Sequence, residues 1–174
     1  IMKNYTLEKD NYFTSSECDE LINKVFDNPG TADEPLNYNF VDLYKKDFMD
    51  LDIKFKPIAD EYIKMYPEVN LTSSFWGLTD LRIKHFLPGN HFSDFHSEHS
   101  FIYPNRILAI QVYLSDHNCG TKFYDGYKIM SKKGKVAIFP AYFTHTHIGE
   151  ICPENKDRYL LTGYYSFVSQ GNNE

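Results

Sequence analysis

The chain has 174 residues, a length that suits one compact domain with a sizeable core. Hydrophobic residues make up 42% of it and aromatic residues 17%, which excludes wholesale disorder. The formal net charge of −6 gives no basis for binding nucleic acid or an anionic membrane. Because no apolar run approaches a membrane span and no signal peptide is recognisable, we expect a cytoplasmic protein, or one of a host cytoplasm if the source is viral.

The cysteines are Cys18, Cys119 and Cys152. Their number is odd and no two are separated by only two residues. This pattern argues against a disulfide scaffold and against a thiolate zinc site. We therefore expect reduced thiols.

Helices are predicted in the first part of the chain. Thr14–Glu17 reads as a capping box, and apolar residues then recur at three- and four-residue spacing as far as a stop signal at Asn28-Pro29-Gly30. The stretch Asn37–Tyr44 is ambiguous. A second helix is expected to have Pro57 in its first turn and to end before Pro67.

Short runs of β-branched and aromatic residues, separated by turn signals, follow from about residue 73. This pattern indicates a β-sandwich or barrel. We predict one domain over residues 1–174, of α+β class, with a helical part over about 1–70 packed on one face of a jelly-roll core over about 73–169. The expected strands are Phe75–Leu87, Arg106–Leu114, Thr121–Tyr124, Tyr127–Met130, Lys135–Phe139 and Arg158–Val168.

Histidines and one acid point to a metal centre. On a strand, residues two apart share a face, so His96 and Glu98 can bind one metal ion. A third ligand from a distant strand would complete a two-histidine, one-carboxylate triad, which favours non-haem Fe(II) and leaves positions open. His145 and His147 are the candidates. They are also two apart, so strand periodicity places both on one face and does not choose between them.

Such a triad in an oxygenase is accompanied by 2-oxoglutarate, whose far carboxylate needs a fixed cation. Arg158 suits this role because a guanidinium stays charged and can grip a carboxylate with two hydrogen bonds. Thr162 shares its strand face and could add a hydroxyl contact. Tyr113 could donate its phenol to the same carboxylate, although core packing explains that residue equally well. An Arg158 in a surface ion pair is the competing interpretation.

Five ordered segments resemble the prolyl-4-hydroxylase-like branch of the Fe(II)- and 2-oxoglutarate-dependent oxygenases, and the small phage and bacterial members in particular. They include a Pro-Gly turn before a His-x-acid pair, a long central strand, a Gly-x-x-Phe segment, a distal histidine segment and a cosubstrate strand. The match covers about residues 79–167. The segments are Leu87–Glu98, Asn105–Asp116, Cys119–Phe123, Gly134–His147 and Asp157–Tyr164.

The resemblance implies a double-stranded β-helix, Fe(II) bound by His96, Glu98 and one of the two distal histidines, and Arg158 as the 2-oxoglutarate anchor. His147 is preferred to His145 because its spacing to Arg158 is closer to that of prolyl hydroxylases. The implied activity is a dioxygenase that uses O2 to hydroxylate an unactivated C–H bond and releases succinate and CO2. Relatives that halogenate lack the carboxylate, so the presence of Glu98 favours hydroxylation. Ascorbate is left open as an additional reductant.

Two features depart from the family pattern. Glu98 replaces the commoner aspartate, and Phe86 lies where some relatives carry a 2-oxoglutarate-binding tyrosine, which moves that role to Tyr113. The substrate is a protein, a peptide or a small molecule, with a peptidyl proline as the first guess. The alternatives are a cupin-like metal protein that does not use 2-oxoglutarate, and a jelly-roll binding module.

Overall fold

The helical part begins as the sequence predicts. We describe residues 3–27, 37–91 and 94–169 of a computed structural model. Helix α1 covers Ser15–Asp27, and Thr14 and Glu17 form the expected capping box, each side chain accepting a hydrogen bond from the other's backbone N–H at 3.0–3.1 Å. The predicted stop at 28–30 lies outside the described residues.

Helix α2 corrects the prediction for the second helix. It covers Lys45–Met65, so Pro57 lies in its interior and not in its first turn. Proline removes the hydrogen bond to the carbonyl four residues earlier. That carbonyl belongs to Ile53, a residue that is 71% exposed, so a water molecule can replace the missing backbone donor. Pro67 follows the helix end as expected, and a short helix α3 covers Val69–Thr72. Among the described residues, no helix has the length and apolar character needed to cross a membrane.

Within the described residues, nine strands form two antiparallel sheets. The larger sheet has the order β1-β7-β4-β9-β3-β2, and the smaller has the order β6-β5-β8. The six predicted strands are all present within one residue or two of their expected ends, and the ambiguous stretch contains β2. Strands β1 and β8 are three residues long and were not predicted. The bounds are β1 Leu7–Lys9, β2 Asn39–Asp42, β3 Trp76–Phe86, β4 Arg106–Tyr113, β5 Gly120–Phe123, β6 Lys128–Met130, β7 Val136–Pro140, β8 His147–Gly149 and β9 Arg158–Phe167.

The larger sheet has two different faces because side chains alternate along each strand. One face packs against the helices in a continuous apolar core that includes Ile83, Ile110, Leu161, Phe55 and Ile58. The other face looks toward the smaller sheet. Tyr113, Phe139 and Leu160 of this face form a second, smaller apolar cluster with Phe123 of the smaller sheet. The helices therefore cover one outer face, as predicted, and the space between the sheets is left for a site.

The expectation of reduced thiols is wrong for two of the three cysteines. Cys119 and Cys152 form a disulfide, with their Cα atoms 5.1 Å apart, while Cys18 is free and buried in α1. Cys119 immediately precedes β5, and Cys152 lies in the loop before β9. An odd count leaves one cysteine over but does not prevent a pair. Only the folding of β5 against β8 brings these distant segments together.

Candidate metal centre and cosubstrate pocket

His96, Glu98 and His147 converge at one point between the two sheets. The Nε2 atoms of His96 and His147 lie 3.1 Å and 3.0 Å from the same Glu98 oxygen, Oε1. One ligand atom from each residue lies within 4.8 Å of the others, as binding to a single ion requires. His147 opens β8, and His96 pairs with it through two backbone hydrogen bonds of 3.0 Å. The distant segments are thus held together by a β-bridge.

Backbone carbonyls orient both imidazoles for metal binding. Nδ1 of His96 donates to the carbonyl of Asp94, and Nδ1 of His147 donates to the carbonyl of His145, each at 2.9 Å. Because a carbonyl can only accept, Nδ1 carries the hydrogen in both rings. In the neutral ring Nε2 then presents a lone pair to Glu98 Oε1, and two such lone pairs beside a carboxylate oxygen need a cation among them. The three residues fit a divalent metal ion.

Glu98 is held in its charged form. Burial alone would raise its pKa, but before a metal ion binds, hydrogen bonds and positive charge from His147 and His96 lower the pKa of this carboxyl well below its ordinary value. The guanidinium of Arg106 lies 3.9 Å from its second oxygen. A carboxylate ligand is therefore available throughout the neutral pH range.

The two distal histidines do not share a face, contrary to the expectation from strand periodicity. His145 ends a 3-10 turn over Phe143–His145, so strand alternation does not apply between it and His147. Its Nε2 donates to the carbonyl of Asn4 at 2.7 Å, and the ring lines a separate surface groove with Asn4 and Tyr142. The geometry selects His147, the preferred residue, as the third member of the cluster.

Arg158 is a buried guanidinium and not part of a surface ion pair. It is 4% exposed, lies with its guanidinium carbon 4.3 Å from the Phe86 ring centre, and has no carboxylate within salt-bridge distance among the described residues. Its Nη2 is buried without a hydrogen-bond partner there. Burial lowers its pKa. An unpaired buried cation of this kind suits a carboxylate ligand.

Thr162 lies on the same sheet face as Arg158, as predicted, and Tyr113 lies there too because it pairs with Leu160. Thr162 is buried, and its hydroxyl is 3.5 Å from the carbonyl of Arg82. The Tyr113 hydroxyl donates to Gln111 at 2.9 Å and lies 2.7 Å from the Thr121 hydroxyl. Burial raises the pKa of Tyr113, so its phenol stays protonated and keeps the hydrogen that it donates to Gln111, a bond that a ligand carboxylate would have to replace.

An open cavity of about 670 Å³ leads to the cluster. His96, Glu98 and Thr162 line it, whereas Arg158 and Tyr113 lie outside its lining. The predicted residues therefore divide between the cavity and the more deeply buried end of the same sheet face.

Arg106 and Lys84 also line the cavity and were not among the predicted site residues. Arg106 lies between the rings of Tyr103 and Tyr164, with its guanidinium carbon 3.6 Å from each ring centre. Burial lowers the pKa of Lys84 to about 8. The signal was present, since Arg82 and Lys84 alternate with apolar residues along β3. Such alternation usually marks the solvent face of a sheet, and only the tertiary structure shows that this face lines a cavity.

The fold is that of solved 2-oxoglutarate oxygenases. No protein-family model matches the sequence, and no curated protein matches it. A viral collagen prolyl hydroxylase from Paramecium bursaria Chlorella virus-1, solved as a 2-oxoglutarate complex, has a TM-score of 0.72 at 18% identity, over 95% of this chain and 97% of that one. These values establish a common architecture, and the predicted double-stranded β-helix is confirmed.

Two further solved structures have the same architecture. A Trichoplax adhaerens prolyl hydroxylase in complex with a peptide fragment of hypoxia inducible factor has a TM-score of 0.68 at 14% identity, over 94% of this chain and 84% of that one. HygX from Streptomyces hygroscopicus, with nickel and 2-oxoglutarate bound, has a TM-score of 0.69 at 10% identity, over 95% of this chain and 84% of that one. At such identities the likeness concerns the fold.

Proposed function

We propose that the protein is an Fe(II)- and 2-oxoglutarate-dependent dioxygenase that hydroxylates an unactivated C–H bond. The observation that carries this proposal is the convergence of His96, Glu98 and His147, with both imidazoles presenting Nε2 to one carboxylate oxygen. A two-histidine, one-carboxylate set with open positions is typical of non-haem Fe(II) oxygenases. The structures of similar fold include one solved with 2-oxoglutarate and one solved with nickel and 2-oxoglutarate.

Each protein group has a defined task in this proposal. His96, Glu98 and His147 would hold Fe(II) through two Nε2 atoms and one carboxylate oxygen. The carbonyls of Asp94 and His145 keep the rings oriented through Nδ1. Fe(II) and 2-oxoglutarate, when bound, would supply the electrons that activate O2, which is the oxidant of the C–H bond. A substrate bound in the open cavity would exclude bulk water from the reacting groups.

Arg158 anchors the far carboxylate of 2-oxoglutarate, with Thr162 and Tyr113 contributing hydroxyl groups. A buried guanidinium with an unpaired Nη2 is costly to maintain unless an anion binds it. This feature favours 2-oxoglutarate over the alternative of a cupin-like metal protein, which would have no use for such a cation.

A peptidyl proline is the first candidate for the substrate. One of the similar structures is a collagen prolyl hydroxylase, and another holds a peptide. The cavity beside Glu98 is open and presents the flat stack of Tyr103, Arg106 and Tyr164. An aromatic and cationic surface of this kind can pack against a proline ring and donate to peptide carbonyls.

The central experiment adds Fe(II) and then 2-oxoglutarate to the protein without oxygen. We expect a visible charge-transfer band that needs both additions, followed by succinate release when air is admitted. His147→Ala removes the band, and His145→Ala, the matched control, keeps it. Wild-type protein that gives neither band nor succinate would refute the proposal.

The substrate is tested separately by mass spectrometry of proline-rich peptides after turnover. A gain of one oxygen atom on proline is expected, and matched peptides with alanine in place of proline should remain unmodified. Succinate release without any peptide oxidation would reject proline and retain the oxygenase.

A further inference from the structure

A second group of metal-binding side chains lies apart from the proposed iron centre. His117, Cys152 and Glu154 each offer one ligand atom, and these atoms lie within 4.8 Å of one another. Cys119 is bonded to Cys152 and so places a second sulfur beside them. None of the four residues belongs to the cluster of His96, Glu98 and His147.

Two buried polar atoms in this group have no hydrogen-bond partner among the described residues, and they face each other at ion-pair distance. They are Nδ1 of His117, whose side chain is 0% exposed, and Oε2 of Glu154, and they lie 3.7 Å apart. The opposite end of each side chain is fixed. Nε2 of His117 lies 2.9 Å from the Ser115 hydroxyl, and Oε1 of Glu154 accepts from the backbone N–H of Asn118 at 2.7 Å. Both side chains are therefore tethered by one atom and leave the other buried and unsatisfied, which is costly unless a ligand binds there.

The donor set suits zinc once the disulfide is open. Reduction by two equivalents of a small thiol, or by one dithiol, converts the Cys119–Cys152 disulfide to two thiols and oxidises the reductant to its disulfide. A divalent cation then displaces one proton from each thiol. The resulting set of one imidazole nitrogen, two sulfurs and one carboxylate oxygen matches the tetrahedral preference of Zn²⁺.

We infer that His117, Cys119, Cys152 and Glu154 form a zinc site in the reduced protein. The zinc site and the disulfide are then alternative states of the same two cysteines. The sequence analysis argued against a thiolate zinc site because no two cysteines are separated by only two residues. Here the ligands come as a His-x-Cys pair and a Cys-x-Glu pair from distant segments. Either the disulfide or the metal ties the turn between β4 and β5 to the loop that leads into β9 and Arg158.

The probe for this site is Co²⁺, which gives an intense near-ultraviolet charge-transfer band only when sulfur binds it. Full-length protein is reduced with a dithiol that is then removed, and opening of the disulfide is verified by alkylation and mass spectrometry. We expect a sulfur-to-cobalt band whose intensity stops rising when one Co²⁺ per protein molecule is bound at this site. The band should disappear when Zn²⁺ is added. The unreduced protein should show no such band. His96, Glu98 and His147 contain no sulfur, so the result is independent of the proposed oxygenase activity.

Three variants assign the ligands. Cys152→Ser abolishes the band. Cys18→Ser, the matched control, keeps it, because Cys18 is buried in α1 away from the cluster. Glu154→Gln preserves size and leaves both cysteines in place, and it should weaken Co²⁺ binding by roughly tenfold or more. Because Glu154 is only half-buried, we expect the glutamine variant to fold. It therefore tests the site even if Cys152→Ser does not fold.

Two results would overturn the inference. One is verified reduced protein with no sulfur-to-cobalt band. The other is a band whose affinity is the same in wild type, Glu154→Gln and His117→Gln, since this would show binding by the cysteines alone.

Discussion

The two faces of the larger sheet are built from the same strands and differ in what they carry. Along β9, Leu161 and Tyr165 enter the core beneath the helices, while Arg158, Thr162 and Tyr164 face the smaller sheet. The helix-covered face is mainly apolar, with His85 and the Tyr165 phenol as buried polar exceptions. The opposite face holds a buried guanidinium, phenols and access to a carboxylate with two imidazoles. The comparison shows that alternation lets one strand stabilise the fold with one set of residues and serve chemistry with the other.

The largest effect is expected on the site face, at His147. His147→Ala removes one metal ligand and should reduce succinate formation by roughly a thousandfold or more, because the loss of a group that acts as part of a unit is severe. His145→Ala should stay within a few fold of wild type. Turnover at saturating Fe(II) and 2-oxoglutarate measures both. Equal losses in the two variants would place His145 in the centre as well.

Ile110, on the helix-covered face, tests the opposite side of the comparison. It is 1% exposed, so Ile110→Ala should lower the free energy of unfolding by about 2–5 kcal/mol through lost burial and a cavity. Turnover per folded molecule should be preserved. Urea unfolding with parallel activity assays measures both, and Ile53→Ala, at a 71% exposed position, is the control. A specific activity that falls together with stability would show that the two faces are coupled.

A smaller and more selective effect is expected at Arg158. Arg158→Gln removes a charged donor from the proposed carboxylate site and should raise the KM for 2-oxoglutarate by about 10- to 100-fold, the equivalent of a lost charge-assisted hydrogen bond. Arg158→Lys should recover part of the loss because it restores the charge without the bidentate geometry. Steady-state kinetics with varied 2-oxoglutarate decides the matter. An unchanged KM in the glutamine variant would assign the far carboxylate to another cation.

The smallest effect concerns Lys84 and pH. Burial lowers its pKa to about 8 from 10.5, so between these values the unfolded chain binds more protons than the folded one and stability rises with pH. Lys84→Met should flatten this rise and increase the free energy of unfolding at pH 7 by about 1–3 kcal/mol. This range allows for solvent screening, because the side chain borders an open cavity. Thermal unfolding across this pH range measures it, with exposed Lys56→Met as control. An unchanged pH slope would show that Lys84 remains charged in the fold.

Local patterns determined much of the architecture. Alternation and turn residues located six of the nine described strands, and the capping box located the start of α1, because these signals depend on neighbours in the chain. The proline rule misplaced the start of α2, since the cost of Pro57 is reduced where the affected carbonyl lies on the exposed side of the helix. His96 and Glu98 could also be identified as a ligand pair, because their His-x-Glu spacing is visible in the sequence itself.

By itself, the sequence determined the strand order in the chain, the alternation of faces and a short list of candidate ligands. The tertiary structure decided which candidates meet. It turned His145 away from His147, joined Cys119 to Cys152, and directed the charged side of β3 into a cavity. The physical reason is that secondary structure is set by interactions between near neighbours, whereas a site depends on contacts between distant segments that only sheet pairing creates.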